Sequence, residues 1–275
     1  MEKTLYISDL DGTLLNNSGM ISERTAALLN EAVREKNIFF TIATARTAAT
    51  AVQLLSAINI NAPMILMNGV CIFDAAKGSY VKVNTIAKSD CEKAMDVLAR
   101  HGLHGFWYSV ADDRLSTYYE RVQNDYARRF MDERVSGFRK VFTRLENIRD
   151  CLEKPLVYFS LMDKKERLES AAEELKSIEG IRIEFYRDTY IEGYWYLEIC
   201  SAGASKANAV CFLREEYGFG RVIGFGDNYN DMPMFGACDL SCAMANAVPD
   251  VKKAADAVIG DNDADGVAEW ISLNA

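Results

Sequence analysis

The chain of 275 residues is 49% hydrophobic and 26% charged, an ordinary balance for a globular protein. This length predicts either one large domain or two modest ones. The formal net charge of −9 argues against nucleic acid or an anionic membrane as a partner, since both attract basic surfaces. No apolar run approaches membrane-spanning length and strand-like sequence begins by Thr4, so a cytoplasmic protein without a signal peptide is expected.

The seven cysteines do not indicate a disulfide scaffold. Their number is odd, they are scattered, and no C-x-x-C pair occurs. Thiols packed among apolar residues in a reducing compartment are therefore expected. The two histidines, His101 and His104, have no cysteine pair nearby, so a zinc site is not expected.

The N-terminal part of the chain alternates strands with helices. The pattern predicts strands at Leu5–Ser8, Ile38–Ala43 and Met64–Met67, and helices at Glu23–Lys36 and Thr47–Ile58. Such alternation is typical of βαβ units on a parallel sheet, so an α/β fold is expected.

Two carboxylates stand at the end of the first predicted strand, in Ser8-Asp9-Leu10-Asp11-Gly12-Thr13-Leu14. Positions two apart in an extended chain project to the same side, so Asp9 and Asp11 can face one reaction centre. Open α/β sheets bind ligands at the carboxyl ends of their strands. A phosphate ester would bring more negative charge there, which requires a cation between the carboxylates. A plain polar turn is the alternative, because Asp, Gly and Thr are ordinary turn residues.

Thr44 stands at the end of the predicted strand Ile38–Ala43. A hydroxyl there, with the N–H groups at the start of the next helix, can bind phosphate oxygens. A role as helix N-cap is equally compatible with the local sequence, and the two roles do not exclude each other.

The middle of the chain, about 85 to 190, is predicted to be a separate α+β unit. Its first helix is expected to begin at Ser89-Asp90-Cys91-Glu92, which has capping-box spacing, and to end at His101. After it, strands are predicted at Phe106–Tyr108, Pro155–Met162 and Ile181–Tyr186, and a second helix is predicted at Lys164–Ser177. At about a hundred residues, the unit is large enough to have its own core and to be inserted in another domain.

The α/β pattern resumes with a predicted helix Lys206–Tyr217, a strand Val222–Phe225 and a helix after Asp265. An acidic turn, Gly226-Asp227-Asn228-Tyr229-Asn230-Asp231, follows that strand. Mg²⁺ prefers oxygen ligands and is typically held by one or two carboxylates plus substrate phosphate. Asp9 and Asp227 are the candidate metal ligands, with Asp231 expected to orient a water or an amide behind them.

Lys206 is predicted in the first turn of its helix, where a cation is mildly unfavourable for the helix dipole. This placement indicates a functional role for Lys206. Beside the aspartates, the ammonium would neutralise charge on a phosphoryl group and on Asp9. A solvated surface lysine is the alternative.

Four motifs, in their order along the chain, resemble the haloacid dehalogenase superfamily of phosphotransferases. They are Asp9-Leu10-Asp11-Gly12-Thr13, Thr44, Lys206, and Gly226-Asp227 through Asn230-Asp231. More narrowly, the chain is similar to the Cof-type sugar-phosphate phosphatases. That similarity is carried by Ala43-Thr44-Ala45-Arg46, Met67-Asn68-Gly69, Leu197-Glu198-Ile199, Gly203-Ala204-Ser205-Lys206 and Ala243-Met244-Ala245-Asn246-Ala247. Ala45 and Ala245 stand where this subfamily usually has Gly.

The resemblance implies a Rossmann-like parallel-sheet core made of residues 1–84 and 191–275. An α+β cap domain, residues 85–190, would be inserted between the Thr and Lys motifs. It also implies that Asp9 attacks phosphorus to form an aspartyl-phosphate. Asp11 would protonate the leaving alcohol and then deprotonate the hydrolytic water.

The resemblance implies the remaining roles in the site as well. Mg²⁺ would be held by Asp9, Asp227 and the backbone carbonyl of Asp11. Thr44 and Lys206 would hold the phosphoryl oxygens. Asn68 and Asn230 would assist at the phosphate or the metal loop, although a plain turn remains the alternative for Asn68-Gly69.

The expected function is that of a Mg²⁺-dependent phosphatase acting on small phosphorylated metabolites, with sugar phosphates as the expected class. A phosphomutase that uses the same residues, and a non-catalytic ligand-binding protein, are the alternatives. Trp107, Tyr108 and Trp195 are candidates for substrate contact in the cap. Core packing is the alternative for these rings.

Overall fold

The computed structural model of the protein describes residues 3–138, 140–188 and 191–275. The chain divides into two compact units. The first unit consists of Met1–Lys82 and Ser205–Ala275, and the second consists of Val83–Ala204. The second unit is therefore inserted in the sequence of the first.

Short strands and helices follow one another along the chain. In chain order they are β1 (Thr4–Ser8), α1 (Glu23–Glu35), β2 (Phe39–Ile42), α2 (Ala48–Leu54), β3 (Met64–Leu66), β4 (Cys71–Asp74), β5 (Ser79–Val83), α3 (Lys88–Arg100), β6 (Phe106–Ala111), β7 (Arg114–Tyr119), α4 (Asp125–Phe138), β8 (Phe142–Arg144), β9 (Leu156–Asp163), α5 (Lys165–Leu175), β10 (Ile181–Arg187), β11 (Trp195–Ser201), α6 (Lys206–Tyr217), β12 (Arg221–Gly226), α7 (Met232–Phe235), β13 (Leu240–Ala243), α8 (Pro249–Ala254), β14 (Ala257–Val258) and α9 (Gly266–Asn274).

The first unit is built on a five-stranded parallel sheet with the strand order β14-β13-β12-β1-β2. Strands β1 and β12 are neighbours in it, with Ser8 opposite Phe225, although they come from opposite ends of the chain. Leu5, Ile7 and Phe225 are fully buried, as expected of a parallel sheet covered on both faces. The carboxyl ends of β1, β2 and β12 lie at one edge, so the residues that follow these strands gather there.

The helices of the first unit follow from local sequence signals. Helix α1 begins after Ser22, whose side-chain oxygen accepts a hydrogen bond from the Thr25 amide, and it buries Leu29 and Val33. Helix α9 packs against α1. The predicted helices at α1 and α6 are confirmed within one residue at each end, and the predicted α/β class is confirmed.

A small sheet of three strands, in the order β3-β4-β5, extends the first unit. An isolated parallel bridge between Ala43 and Ile65 links the end of β2 to β3. Consequently β3 carries its own following turn, Met67–Gly69, to the edge where β1 and β2 end.

The second unit contains a six-stranded sheet with the order β10-β11-β9-β6-β7-β8, in which only the pair β7–β8 is parallel. One face of this sheet forms an apolar core with α3 and α5, around Trp107, Phe159 and Ile199. The opposite face carries aromatic and polar side chains. Helix α4 contributes Phe130, which stacks on Phe106 with ring centroids 5.6 Å apart.

Two details of the predicted helices are wrong. The helix expected over Thr47–Ile58 is shorter, Ala48–Leu54, and its N-cap is Thr47. The capping box expected at Ser89 does not start α3, which begins at Lys88 with Ala87 as N-cap. Ser89 lies inside the first turn, and Asp90 instead pairs with Lys93 at 2.9 Å. Spacing alone cannot distinguish a cap from an exposed face of the first turn.

The boundaries between the units differ from those expected. The first lies at Lys82/Val83 rather than 84/85, and the second at Ala204/Ser205 rather than 190/191. Residue 190, the expected last residue of the cap, lies outside the described residues. Strand β11 belongs to the second unit because it pairs along its length with β10 and β9.

The seven cysteines are free thiols, of which Cys71, Cys91, Cys151, Cys200 and Cys242 are buried. Cys211 is exposed and Cys238 is partly exposed. Within the described ranges, no helix has the length and apolar character that a membrane span requires.

Candidate active site

The first acidic loop begins where β1 ends. The Asp9 amide donates to the carbonyl of Phe225 at 2.9 Å, which continues the β1–β12 ladder by one bond, and the residue is 6% exposed. The chain then turns at Gly12, whose φ of +79° is a left-handed conformation. A Cβ on Gly12 would lie 2.5 Å from Asp227 Oδ2. Glycine is therefore what allows this loop to approach Asp227.

Asp227 follows the neighbouring strand β12 and faces the same edge of the sheet. The Thr13 hydroxyl donates to Asp227 Oδ1 at 2.6 Å, which fixes the carboxylate against the first loop. Gly226, the last residue of β12, has no room for a Cβ, which would lie 2.5 Å from the Cβ of Asp231. The two acidic loops are thus packed directly on each other.

Lys206 and Asp231 form a buried ionic cluster with Asp9. The Lys206 ammonium donates to Asp9 Oδ1 at 2.6 Å and to Asp231 Oδ1 at 2.7 Å. Lys206 is 2% exposed and Asp231 is fully buried. A buried charge is tolerated only when it is paired, so each member of this cluster depends on the others.

Asp231 also organises the turn that contains Asp227. Its second oxygen, Oδ2, accepts hydrogen bonds from the backbone amides of Asp227 at 3.0 Å and Asn228 at 3.1 Å. Both carboxylate oxygens of Asp231 are therefore engaged, one by Lys206 and one by the two amides. Asp231 thus orients the Asp227 amide, and its place behind the metal ligands stays a prediction.

Carboxylate oxygens of Asp9, Asp227 and Asp231 lie within 4.8 Å of one another, a spacing that suits a metal ion. Three carboxylates and one ammonium leave an excess of two negative charges when all four groups are ionised. Because Asp231 is fully engaged, Asp9 and Asp227 are the side chains that fit a cation. Their all-oxygen chemistry matches the preference of Mg²⁺.

Burial and neighbouring charges shift the pKa values of the site residues. Burial raises the pKa of Asp9, although the attraction of Lys206 opposes the shift. Burial also raises the pKa of Asp227 to about 6, and the charge of Asp231 adds to the rise. For Lys206, burial works to lower the pKa, but the attraction of Asp231 and Asp9 outweighs it and raises the pKa. A bound divalent cation would favour the ionised carboxylates.

Thr44 lies at the carboxyl end of β2, one strand away from Asp9. It is 1% exposed, and its hydroxyl accepts a hydrogen bond from the Arg46 amide at 3.2 Å. The alternative role of Thr44 as a helix N-cap is wrong, since the N-cap of α2 is Thr47. Its position at the shared edge of the sheet is the one expected of a phosphate-binding hydroxyl.

Asn68 sits in a turn whose three residues, Met67, Asn68 and Gly69, have φ values of +51°, +53° and +94°. Non-glycine residues adopt this conformation rarely, and such strain is concentrated at functional sites. The backbone N–H of Asn68 donates to the Thr44 carbonyl at 3.0 Å. The side chain of Asn230 donates to Asn68 Oδ1 at 3.4 Å, so the two predicted asparagines meet.

Asp11 is placed differently from the buried aspartates. Its side chain is 41% exposed, and its carboxylate is held by Arg46, with Nε 2.8 Å from Oδ2 and Nη2 2.6 Å from Oδ1. Its carboxylate is not part of the group of metal-compatible oxygens, and metal binding by the Asp11 backbone carbonyl stays a prediction.

Two residues of the site were not anticipated from the sequence. Arg46 was part of a motif that carried the family resemblance, but no role was assigned to it. Asn246 also belongs to a motif that carries the resemblance, and no role was expected for it. Its side-chain amide donates to the Gly12 carbonyl at 2.7 Å, and its oxygen accepts from the Asn262 amide at 3.1 Å. Asn246 therefore links the first acidic loop to the backbone of Asn262.

The three aromatic candidates for substrate contact lie in the second unit. Trp107 is 2% exposed and packs on Phe159, with ring centroids 4.8 Å apart, so it has the core-packing role. Tyr108 is also buried, on the opposite face of the sheet. Trp195 is partly exposed and packs on Phe185, with ring centroids 4.8 Å apart. Trp195 is consequently the most accessible of the three.

The chain is similar to known proteins along nearly its whole length. A sequence model of a family described as haloacid dehalogenase-like hydrolase matches residues 6–271. The Bacillus subtilis 5-amino-6-(5-phospho-D-ribitylamino)uracil phosphatase YcsE is 28% identical, over 97% of this chain and 94% of its own length. The Escherichia coli pyridoxal phosphate phosphatase YbhA is 25% identical, over 96% of this chain and 95% of its own length. A solved haloacid dehalogenase-like hydrolase from Bacteroides thetaiotaomicron superposes with a TM-score of 0.80 at 25% identity, covering 99% of each chain.

Proposed function

The chain belongs to the haloacid dehalogenase-like hydrolases, and from that premise we propose that it is a Mg²⁺-dependent phosphatase of small phosphorylated metabolites. The names of its relatives confirm the predicted enzyme class, a phosphoric monoester hydrolase. Hydrolysis through an aspartyl-phosphate, and sugar phosphates as the substrate class, are the finer parts of the proposal.

The observation that carries the proposal is the buried cluster of Asp9, Lys206 and Asp231 beside Asp227. Lys206 holds one oxygen of Asp9, which fixes the orientation of the nucleophilic carboxylate. The same ammonium offsets negative charge when a phosphoryl group arrives. A cluster of this composition is costly for stability alone, because three carboxylates repel one another in a buried place.

The reaction would proceed in two displacements. In the first, an oxygen of Asp9 attacks phosphorus, the bond from phosphorus to the ester oxygen breaks, and Asp11 gives a proton to the departing alkoxide. In the second, a water attacks the phosphorus of the aspartyl-phosphate and gives a proton to Asp11, which releases inorganic phosphate and restores Asp9. Thr44 and Lys206 would bind phosphoryl oxygens, with Asn68 and Asn230 assisting.

Mg²⁺ at Asp9, Asp227 and the backbone carbonyl of Asp11 would supply charge neutralisation between the nucleophile and the phosphate. The fit rests on the oxygen ligands, their separation and the excess of negative charge in the cluster. Asp231 would act behind this set, by holding Lys206 and the amide of Asp227.

The leaving group would be selected by the second unit, for which we retain the term cap. Trp195 is the first aromatic candidate because it is partly exposed, although it packs against the same apolar core that Trp107 fills. The named substrates of the two relatives are phosphate monoesters of small metabolites. A substrate panel should therefore include a ribityl phosphate and pyridoxal phosphate beside sugar phosphates.

The test is release of inorganic phosphate from this panel by the full-length protein with Mg²⁺. We expect activity on at least one member, and a loss of several orders of magnitude in Asp9→Asn, because nucleophile, acid and metal act as a unit. Substantial turnover by Asp9→Asn would contradict the covalent mechanism. Conversion of a sugar phosphate to an isomer without phosphate release would identify a phosphomutase instead. Binding without either reaction would identify a non-catalytic protein.

A further inference from the structure

Arg46 makes a two-point contact with the carboxylate of Asp11. Nε donates to Oδ2 at 2.8 Å and Nη2 donates to Oδ1 at 2.6 Å, so the guanidinium plane matches both oxygens. Such paired contacts are stronger and more directional than a single ionic contact. The Arg46 side chain is 29% exposed, so the pair is only partly screened by solvent.

The backbone of Arg46 is itself fixed within the site. Its amide donates to the Thr44 hydroxyl at 3.2 Å, and its carbonyl accepts from the Met67 amide at 3.1 Å. The guanidinium therefore extends from the same loop as Thr44, a predicted phosphate-binding residue. Movement of the charged group must come from the side chain, not from the loop.

Other hydrogen bonds hold the backbone of the first acidic loop. Asn246 binds the Gly12 carbonyl at 2.7 Å, Thr13 binds Asp227 at 2.6 Å, and the Leu15 amide closes the loop on the Leu10 carbonyl at 2.9 Å. The contact with Arg46 fixes the orientation of the Asp11 carboxylate.

We propose that Arg46 is a positioning residue for Asp11, which fixes the carboxyl group in the orientation for proton exchange with the leaving group and the water. This inference rests on the proposed phosphatase function. A half-exposed aspartate without such a partner would sample several rotamers, and each misplaced orientation would lower the rate of proton transfer. The competing role for Arg46 is direct binding of the substrate phosphoryl group.

A double-mutant cycle separates the two roles. The cycle compares wild type, Arg46→Gln, Asp11→Asn and the double variant, with kcat, KM and the single-turnover rate of leaving-group release measured on two substrates. One substrate is the best sugar phosphate of the panel, whose alkoxide needs a proton to leave. The other is nitrophenyl phosphate, whose phenolate leaves without one.

If Arg46 acts through Asp11, Arg46→Gln lowers kcat on the sugar phosphate by about a hundredfold, the lower range for general acid catalysis. The single-turnover rate of nitrophenolate release and its half-saturating substrate concentration change by less than about threefold, because binding and attack with this leaving group do not depend on the acid. In the Asp11→Asn background, Arg46→Gln has no further effect on either substrate, because its target is gone. Arg24→Gln is the matched control, since Arg24 pairs with Glu269 at 2.5 Å in the same unit.

Equal losses in the single-turnover rate on both substrates, a raised half-saturating substrate concentration, or additive losses in the double variant would overturn the proposal in favour of phosphoryl binding. Arg46→Lys is the control for misfolding, because it keeps the positive charge and removes only the planar guanidinium. It should show the same preference for nitrophenyl phosphate in weaker form, and full activity on both substrates would also overturn the proposal. Absence of phosphate release by the wild type, in contrast, would refute the proposed function itself.

Discussion

Gly69 packs directly against the carbonyl group of Ser205, the residue that caps the helix of Lys206. A Cβ on Gly69 would overlap this carbonyl and would lie 2.9 Å from the Lys206 amide nitrogen. The turn that presents Asn68 and the helix that presents Lys206 are therefore set against each other by a single missing side chain. The relative position of the two predicted phosphate ligands depends on that contact.

We expect Gly69→Ala to destabilise the protein by at least about 2 kcal/mol, because it adds both strain at positive φ and a clash with backbone. Gly78→Ala is the matched control, since Gly78 has a φ of +68° and no atom within 4 Å of the added Cβ among the described residues. Chemical denaturation of both variants measures the difference. Equal losses of stability would show that the clash with Ser205 is relieved at no cost.

Lys206→Met should lower the free energy of unfolding by about 3–5 kcal/mol, the usual effect of removing one partner from a buried ion pair. Asp9 and Asp231 would remain buried without their shared ammonium. Lys253→Met is the control, because Lys253 is 77% exposed and its pair with Asp250 is solvated. That substitution should change stability by less than about 0.5 kcal/mol. A stable Lys206→Met protein would mean that the carboxylates lose their charge at little cost.

The metal is testable without measuring catalysis. Mg²⁺ should raise the unfolding temperature of the chelator-treated wild type, because a cation that binds only the folded state stabilises it. Asp227→Asn should shift this response to higher Mg²⁺ concentration, since it removes one of two candidate carboxylate ligands. Phosphate release should disappear with chelator and return with Mg²⁺. An unchanged melting curve over the whole Mg²⁺ range would argue against the site.

Two tryptophans of the second unit should respond differently to substitution. Trp107→Ala should cost about 3–5 kcal/mol of stability and should lower activity on all substrates alike, because it empties the apolar core. Trp195→Ala should cost less, since Trp195 is only partly buried. If the cap selects substrates through Trp195, the variant should alter the ratios of kcat/KM across the panel. Unchanged ratios would remove Trp195 from the candidate contacts.

Much of the site followed from short sequence patterns, because its main residues stand at strand ends. Asp9 and Asp227 each follow a short apolar run, and adjacent parallel strands bring such positions together. Lys206 was singled out by an unfavourable helix position, which the pairing with Asp9 and Asp231 explains.

The unanticipated features depend on long-range contacts that leave no local trace. The pairing of Arg46 with Asp11 needs the register of β1 against β2, and nothing near Arg46 in sequence indicates it. The expected boundary at 190/191 lies before β11, which pairs with β10 and β9, because an apolar run does not show which sheet it joins. Helix α4 was not predicted, although Tyr126, Ala127 and Phe130 are buried at helical spacing.

The insertion of the second unit also fixes the order in which a ribosome supplies the parts of the site. Strands β1 and β2 and all of Val83–Ala204 are synthesised before the first residue of β12. Until then, β1 lacks one neighbour in its sheet and exposes hydrogen-bonding groups that other chains can pair with. A nascent chain that stalls before Ser205 already carries Asp9 and Asp11, yet it has neither the ammonium nor the carboxylates that surround them. Catalytic competence would therefore arise only after Asp231 has been translated.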